Sequence, residues 1–302
     1  MAINADSLID RLYLKGQISK WRALAVIFAV IALLVMLRHN VPSKIIDNDY
    51  IARFTISGVI GDDQKTYDLI SSLEEDNKIK AVIVWLDTPG GSAVGGEEIY
   101  LRLRKLSEKK PVVAVMRSLS ASAGYMAALG ADYVFARAGT ITGSIGVLIE
   151  TAEVTALAEK LGIKPISIKS SPLKASPSPF EKSTPEAEKV IKDMIMDFYD
   201  HFVDITAERR HLTREKALTL ADGRVYSGKQ ALENKLIDAI GGEEEAKAWL
   251  VKNRNIAQDL EVFDVEVEQE NSVLDRILNG LVGEFWQKSR VGLDGLVALW
   301  HH

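Results

Sequence analysis

Two nearly uninterrupted apolar stretches, at 80–86 in "KAVIVWLDTPGG" and at 111–116 in "PVVAVMRSLSASAG", limit this chain more than any other feature. Each is strand-length, rich in β-branched residues, and runs into a Gly- or Ser-rich segment that precedes a helical pattern. A strand with no polar alternation is buried on both faces, the situation of a parallel sheet covered by helices. "IARFTISGVI" before them and "DYVFA" after them read as further strands. Val94 to Leu106, with Ile99, Leu101, Leu103 and Leu106, reads as an intervening helix. This order predicts an α/β fold with a mostly parallel sheet. Catalytic and ligand groups in such sheets collect beyond the strand ends, so "DTPGGSAVGG" and "RSLSASAG" are expected as neighbouring loops on one edge.

At 302 residues the chain has room for one large domain with appendages or for two small domains. It has no cysteine, which excludes thiol catalysis, zinc–thiolate sites and disulfides. A net charge of −5 argues against a nucleic-acid partner, which calls for a basic patch or stripe. Ala23 to Leu37 is continuously apolar between Arg22 and Arg38, with Trp21 beside it. As a helix it rises about 22 Å, and Trp21 and the flanking arginines extend its usable span. "RHNVPSKII" offers no small-x-small cleavage site, so the run is expected to be an uncleaved membrane anchor rather than a removed leader. Arg11, Lys15, Lys20 and Arg22 favour a cytoplasmic N-terminus. The expected organisation is a short cytoplasmic segment at 1–22, a transmembrane anchor at 23–37, a linker at 38–49, a main domain at 50–250 on the outer side of the membrane, and a C-terminal segment at 251–302.

"ISIKSSPLKASPSPFEKSTPEAE" holds Pro172, Pro177, Pro179 and Pro185 and is read as irregular until Thr184, which starts a long helix with Pro185 at its first position. "YSGKQALENKLIDAIGG" reads as a short helix and a strand, and Glu243 to Lys252 as a further helix. Leu274, Ile277, Leu278, Leu281, Val282 and Phe285 fall at helical spacing, an amphipathic helix for packing or for a membrane surface.

The small residues of "SLSASAGYMAALG" let a substrate approach the backbone, and one of its serines is the candidate nucleophile. A serine hydroxyl needs a base. His39 borders the anchor and His301 and His302 are terminal, which leaves His201 and His211, on or just after the long helix. The other candidate is a lysine held neutral by burial, for which Lys174 stands out as the lone ionisable residue between Ser170 and Pro179. Gly90 and Gly91 offer backbone N–H groups to a developing oxyanion. No metal-ligand pair of the HExxH type and no standard phosphate motif occurs, so neither metal nor other cofactor is expected.

The order "DTPGG", "SASAGYMAA", "TITGSIGV" and then a lysine in a proline-rich loop resembles the signal peptide peptidase A family, the S49 serine peptidases, from about Tyr50 to Leu250. The resemblance implies a Clp protease/crotonase-like spiral of ββα units with an N-terminal transmembrane helix. It implies a Ser–Lys dyad in which Ser122 is the nucleophile and Lys174 the general base, with Ser144 orienting the lysine. Gly91 and the N–H of Ala123 then form the oxyanion hole. Thr88 stands where many members have serine, and Leu173 where many have tyrosine. Ser118 and Ser120 are expected to be turn or capping residues.

The function implied is membrane-anchored endoproteolysis of released signal peptides and similar hydrophobic peptides, by a homo-oligomeric ring whose subunits could share the dyad. A crotonase-like acyl-CoA enzyme using Glu97 and Glu98, or a non-catalytic membrane scaffold of the same fold, are the alternatives.

Overall fold

The computed structural model describes residues 48–266 and the backbone of 297–299, together with residues 21–22 and 25–26. The chain divides into two compact units, Met1–Asp47 and Asn48–His302. Most of the expected anchor at 23–37, and the expected amphipathic helix at 274–285, lie outside the described residues. Among the described residues no helix is long and apolar enough to cross a membrane.

The second unit is built on one nine-stranded sheet. Its elements run β1 (Tyr50–Ile60), α1 (Gln64–Glu75), β2 (Ile79–Ser92), α2 (Ala93–Ser107), β3 (Val112–Ala121), α3 (Ala123–Ala128), β4 (Tyr133–Ala136) and β5 (Ile141–Gly143). They continue with α4 (Thr155–Lys160), α5 (Pro185–Arg209), α6 (Arg214–Leu220), β6 (Val225–Ser227), α7 (Gly228–Glu233), β7 (Ala239–Ile240), α8 (Glu243–Arg254), β8 (Val262–Asp264) and β9 (Val297–Leu299). The main path is β6-β5-β3-β2-β1-β8, with β4 beside β3, β7 beside β4 and β9 beside β2. The pairs β1–β2, β2–β3, β3–β4, β3–β5, β4–β7 and β1–β8 are parallel, as the buried runs predict. The pairs β5–β6 and β2–β9 are antiparallel.

Both faces of β2 are covered. Ala81 and Ile83 join Val113, Val115 and Phe135 in a core with Ala246 and Leu250 of α8. On the other side α3 packs so closely that a Cβ on Gly124 would fall 2.5 Å from Thr88 Cγ2. The start of α8 is fixed by Glu245, whose Oε2 accepts the Gly242 N–H at 2.6 Å. The start of α5 is fixed by Thr184, whose hydroxyl accepts the Ala187 N–H.

The Gly- and Ser-rich segments differ from their sequence reading. Both are strand rather than loop for most of their length: β2 continues through "DTPGGS" to Ser92, and β3 through Ala121. The glycines stay extended because β1 supplies a ladder for them, Val59 pairing with Gly90 and Ile60 with Gly91. Gly91 is required there, since a Cβ would lie 1.9 Å from Ile60 O. Ser118 and Ser120 are accordingly strand residues, not turn or cap residues.

Candidate active site

β3 changes partners along its length, and the site follows from that change. Val113–Met116 lie against β4, whereas Leu119–Ala121 lie against β5. At Ser122 the chain leaves the sheet with φ 54° and ψ −122°, outside the ordinary regions for a residue with a side chain. Strain of this kind costs on the order of 1–3 kcal/mol and persists only where the surroundings impose it. They do so here: the Ser122 N–H donates to Gly143 O at 2.8 Å, and Ser122 O accepts from Met126 N–H at 3.0 Å. Gly96 and Gly124 admit α3 against α2 and β2, because a Cβ on either would meet its neighbour at 2.8 Å or less.

Ser122 is buried, 2% exposed, and its hydroxyl does not cap α3. No hydrogen bond engages that hydroxyl among the described residues. The adjoining Ala123 is 1% exposed, and its N–H meets no acceptor among the described residues, which leaves an unengaged donor next to Ser122. Helix α3 has only six residues, and its first-turn N–H groups at Gly124 and Tyr125 likewise meet no acceptor among the described residues, so local donors matter more here than a helix dipole.

The remaining candidates are placed as follows. Gly90 has φ 109° and donates its N–H to Thr88 Oγ1 at 3.0 Å. That hydroxyl donates in turn to Gly58 O at 2.5 Å, so Thr88 pins the bend of β2 to β1. Gly91 follows on the same strand. Ser144 turns the chain after β5 with φ 51° and anchors it through N–H donation to Arg224 O at 2.8 Å. Lys174 lies in an exposed turn in which its N–H donates to Ser171 O at 3.1 Å. Among the described residues no hydrogen bond joins Ser122, Ser144 and Lys174. Residues 161–184 contain neither helix nor strand, as the prolines predict. The segment exposes Leu161, Ile163, Ile166, Ile168, Leu173 and Phe180.

One juxtaposition escapes sequence reasoning. His201 of α5 and Glu97 of α2 meet at 3.0 Å between Nε2 and Oε1. Both line a small cavity with Ala93, Ala123, Met126 and Phe202. His211, just past α5, sits at a backbone turn with φ 53°. Ser120 is fully buried with an unpartnered Oγ, but it lies within β3 and not at its end. A separate cavity of about 540 Å³, lined by Trp85, Arg117, Arg137 and Glu243, contains none of the sequence-predicted site residues.

A strained buried serine, a free buried N–H beside it and a glycine strand alongside are the parts that acyl transfer requires. The family model described as Peptidase family S49 matches residues 104–257. The chain is similar to the Synechocystis protein slr0021, 36% identical over 241 residues that cover 79% of this chain and 86% of that one. It is also similar to chloroplastic serine protease SPPA of Arabidopsis thaliana, 34% identical over 70% of this chain, and to protease 4 of Haemophilus influenzae, 31% identical over 76% of it. These matches cover only 32% and 38% of those two longer proteins. Among solved structures, a membrane-bound stomatin-specific protease aligns with TM-score 0.45 and 19% identity over 72% of this chain and 98% of that one. The description of the fold rests on the strand pairing above.

Proposed function

Because the chain belongs to peptidase family S49, whose members are serine-type proteases, we propose that it is a membrane-anchored endopeptidase using Ser122 and Lys174. Its substrates are hydrophobic peptides, including released signal peptides, on the outer side of a bacterial inner membrane. Ser122 Oγ attacks the scissile carbonyl and passes its proton to Lys174 Nζ. The oxyanion is held by the Ala123 N–H and by Gly91. Lys174 then protonates the leaving amine, and a water deacylates the enzyme by the same route. Ser144 orients the lysine.

The observation that carries this reading is the strained, buried Ser122 next to an unengaged Ala123 N–H. Lys174 is exposed on an irregular arm bearing exposed apolar side chains, whereas Ser122 is buried in the sheet. The reading therefore includes a homo-oligomeric ring in which the arm of one subunit delivers Lys174 to Ser122 of the next. The test is complementation. Ser122→Ala and Lys174→Ala are each inactive on a fluorogenic hydrophobic peptide, and equal mixing after dissociation regains about a quarter of wild-type activity, the fraction of interfaces carrying both intact residues. Activity in either variant alone refutes the dyad, and no regain on mixing refutes sharing between subunits.

The His201–Glu97 pair supports a second reading, in which His201, oriented by Glu97, is the base. Loss of activity in His201→Ala, with retention in Lys174→Ala, selects it.

A further inference from the structure

Strand β3 loses one neighbour before it gains the next. Its pairing with β4 ends at Met116–Ala136, and its pairing with β5 begins at Leu119–Ile141. Arg117 and Ser118 fall between the two, and residues 137–140 carry the chain from β4 across to β5. The Thr140 hydroxyl holds this split in place, donating to Arg117 O at 2.6 Å and accepting the Arg137 N–H at 3.0 Å. A parallel sheet that parts in this way opens a crevice at its carboxyl edge, where ligands of α/β proteins collect. Here the crevice is the cavity of about 540 Å³, lined by Arg117, Ser118, Arg137 and Thr140 from the two sides of the split.

Its donors lack acceptors. The Arg117 guanidinium lies over the Trp85 ring, Cζ 4.4 Å from the centroid, and pairs with no carboxylate among the described residues. Trp85 also lines the cavity, and its Nε1 is buried without a hydrogen-bond partner among the described residues, a state seldom left unmet. Arg53 stacks on the same ring at 4.2 Å, but its guanidinium is engaged by Glu243 and Asp264. The charged lining is thus two arginines, Arg117 and Arg137, and one glutamate, Glu243. A guanidinium fork matches a carboxylate, and this balance suits a monoanion better than a phosphate dianion. The volume exceeds what an inorganic ion fills, and Val115 and Met116 add apolar wall, so the carboxylate belongs to a larger apolar molecule.

We propose that this crevice binds short apolar peptides by their terminal carboxylate. The Arg117 fork holds the carboxylate, and the Trp85 N–H becomes a second donor as the guanidinium slides off the ring. The peptidase reading supplies only the source of such carboxylates, which are cleaved peptides.

The experiment titrates the full-length protein, by calorimetry, with acetyl-dileucine, its C-terminal amide and inorganic phosphate. The acid is expected to bind at least about tenfold more tightly than the amide, which cannot make charge-assisted hydrogen bonds. Arg117→Gln is expected to weaken the acid by about 10- to 100-fold, and Arg117→Lys, which keeps the charge and loses the fork, by less. Arg117 is exposed, so both variants are expected to keep the wild-type urea midpoint. Indole emission is expected to change on binding in wild type and not in Trp85→Phe. Equal binding of acid and amide overturns the proposal. An affinity unmoved by Arg117→Gln also overturns it, by placing the ligand elsewhere, as beside Ser122. Phosphate that binds more tightly than the acid overturns the peptide assignment, and an emission change that survives in Trp85→Phe removes the indole from the site. If no form cleaves any peptide, the peptidase reading fails, while the calorimetry needs no cleavage and still decides the site.

Discussion

Gly124→Ala isolates the contact that holds the Ser122 turn against the sheet. The new Cβ falls 2.5 Å from Thr88 Cγ2, while its next neighbours, Ser120 Oγ and Thr88 O, lie at an ordinary 3.4 Å. One methyl group is therefore responsible for the clash. The hydroxyl of the same threonine has separate duties, accepting from Gly90 N–H and donating to Gly58 O. Thr88→Ser removes the methyl and keeps the hydroxyl. In this fully packed site an overlap of roughly 1 Å costs about 1–3 kcal/mol, and the helical preference of alanine over glycine returns about 1 kcal/mol. Thr88→Ser alone loses a buried methyl, about 1 kcal/mol. In the double variant the alanine methyl takes the place of the threonine methyl, so stability returns to near wild type, a coupling of about 2 kcal/mol. On the proposed reading of Ser122, activity follows, because displacing a nucleophile by about 1 Å costs on the order of 10²-fold. Urea unfolding and kcat/KM on a hydrophobic peptide, measured for all four proteins, test this. Wild-type values for Gly124→Ala, or failure of Thr88→Ser to restore both quantities, refute the argument.

Asp238 accepts two bonds from the largely buried Arg210 guanidinium, at 2.8 and 3.0 Å, and one from Val134 N–H at 2.7 Å. Asp238→Ala leaves a buried cation unpaired and is expected to cost about 3 kcal/mol in urea unfolding. Asp264 is held below the ordinary carboxylate range, chiefly by its hydrogen bond from Arg53. A lowered folded pKa gives stability that is present above the unfolded value and lost as pH falls through the folded one. The advantage of wild type over Asp264→Asn is therefore expected at pH 7 and expected to vanish in acid below the usual carboxylate range, as read by urea midpoints at both pH values. Lys174→Arg is expected to be as inactive as Lys174→Ala, because a guanidinium does not deprotonate in proteins, and detectable peptide cleavage by it removes lysine from the mechanism.

How far the sequence reveals this molecule depends on where each stabilising partner lies. The strands at 80–86 and 111–116 are legible because their own side chains specify burial, and the start of α5 is legible because Thr184 and Pro185 cap it locally. The extension of β2 through "DTPGGS" is not legible, since Pro89, Gly90 and Gly91 locally favour a turn. What straightens them is β1, 30 residues away along the chain at the Thr88–Gly58 bond. The same holds for Ser118–Ala121, kept extended between β2 and β5. The small residues around Ser122 signal close approach, but its positive φ depends on Gly143 O and on the fit of α3. The His201–Glu97 contact, 104 residues apart in sequence, has no local signature. Lys174 stands out in sequence as the lone ionisable residue of its stretch, but the family resemblance is what gives it a role, because an exposed lysine in an irregular segment is ordinarily just solvated.

The exposure of Lys174 leads to a last prediction. A lysine accepts a proton from serine only when burial holds it neutral. The arm that carries it has no regular structure between 161 and 184 and turns Ile166 and Ile168 almost wholly to solvent, so it does not provide that burial from within its own chain. On the proposed reading, covering the arm and bringing Lys174 to Ser122 are one event, namely assembly. Specific activity is expected to rise steeply with protein concentration through the range where light scattering shows subunits associating. Ile168→Glu, which places a charge on the apolar arm far in sequence from both reacting groups, is expected to move both curves together to higher concentration. Activity that stays constant on dilution into the monomer range, or an Ile168→Glu protein that dissociates yet remains fully active, would show that a single chain completes the site and that the arm closes on its own Ser122.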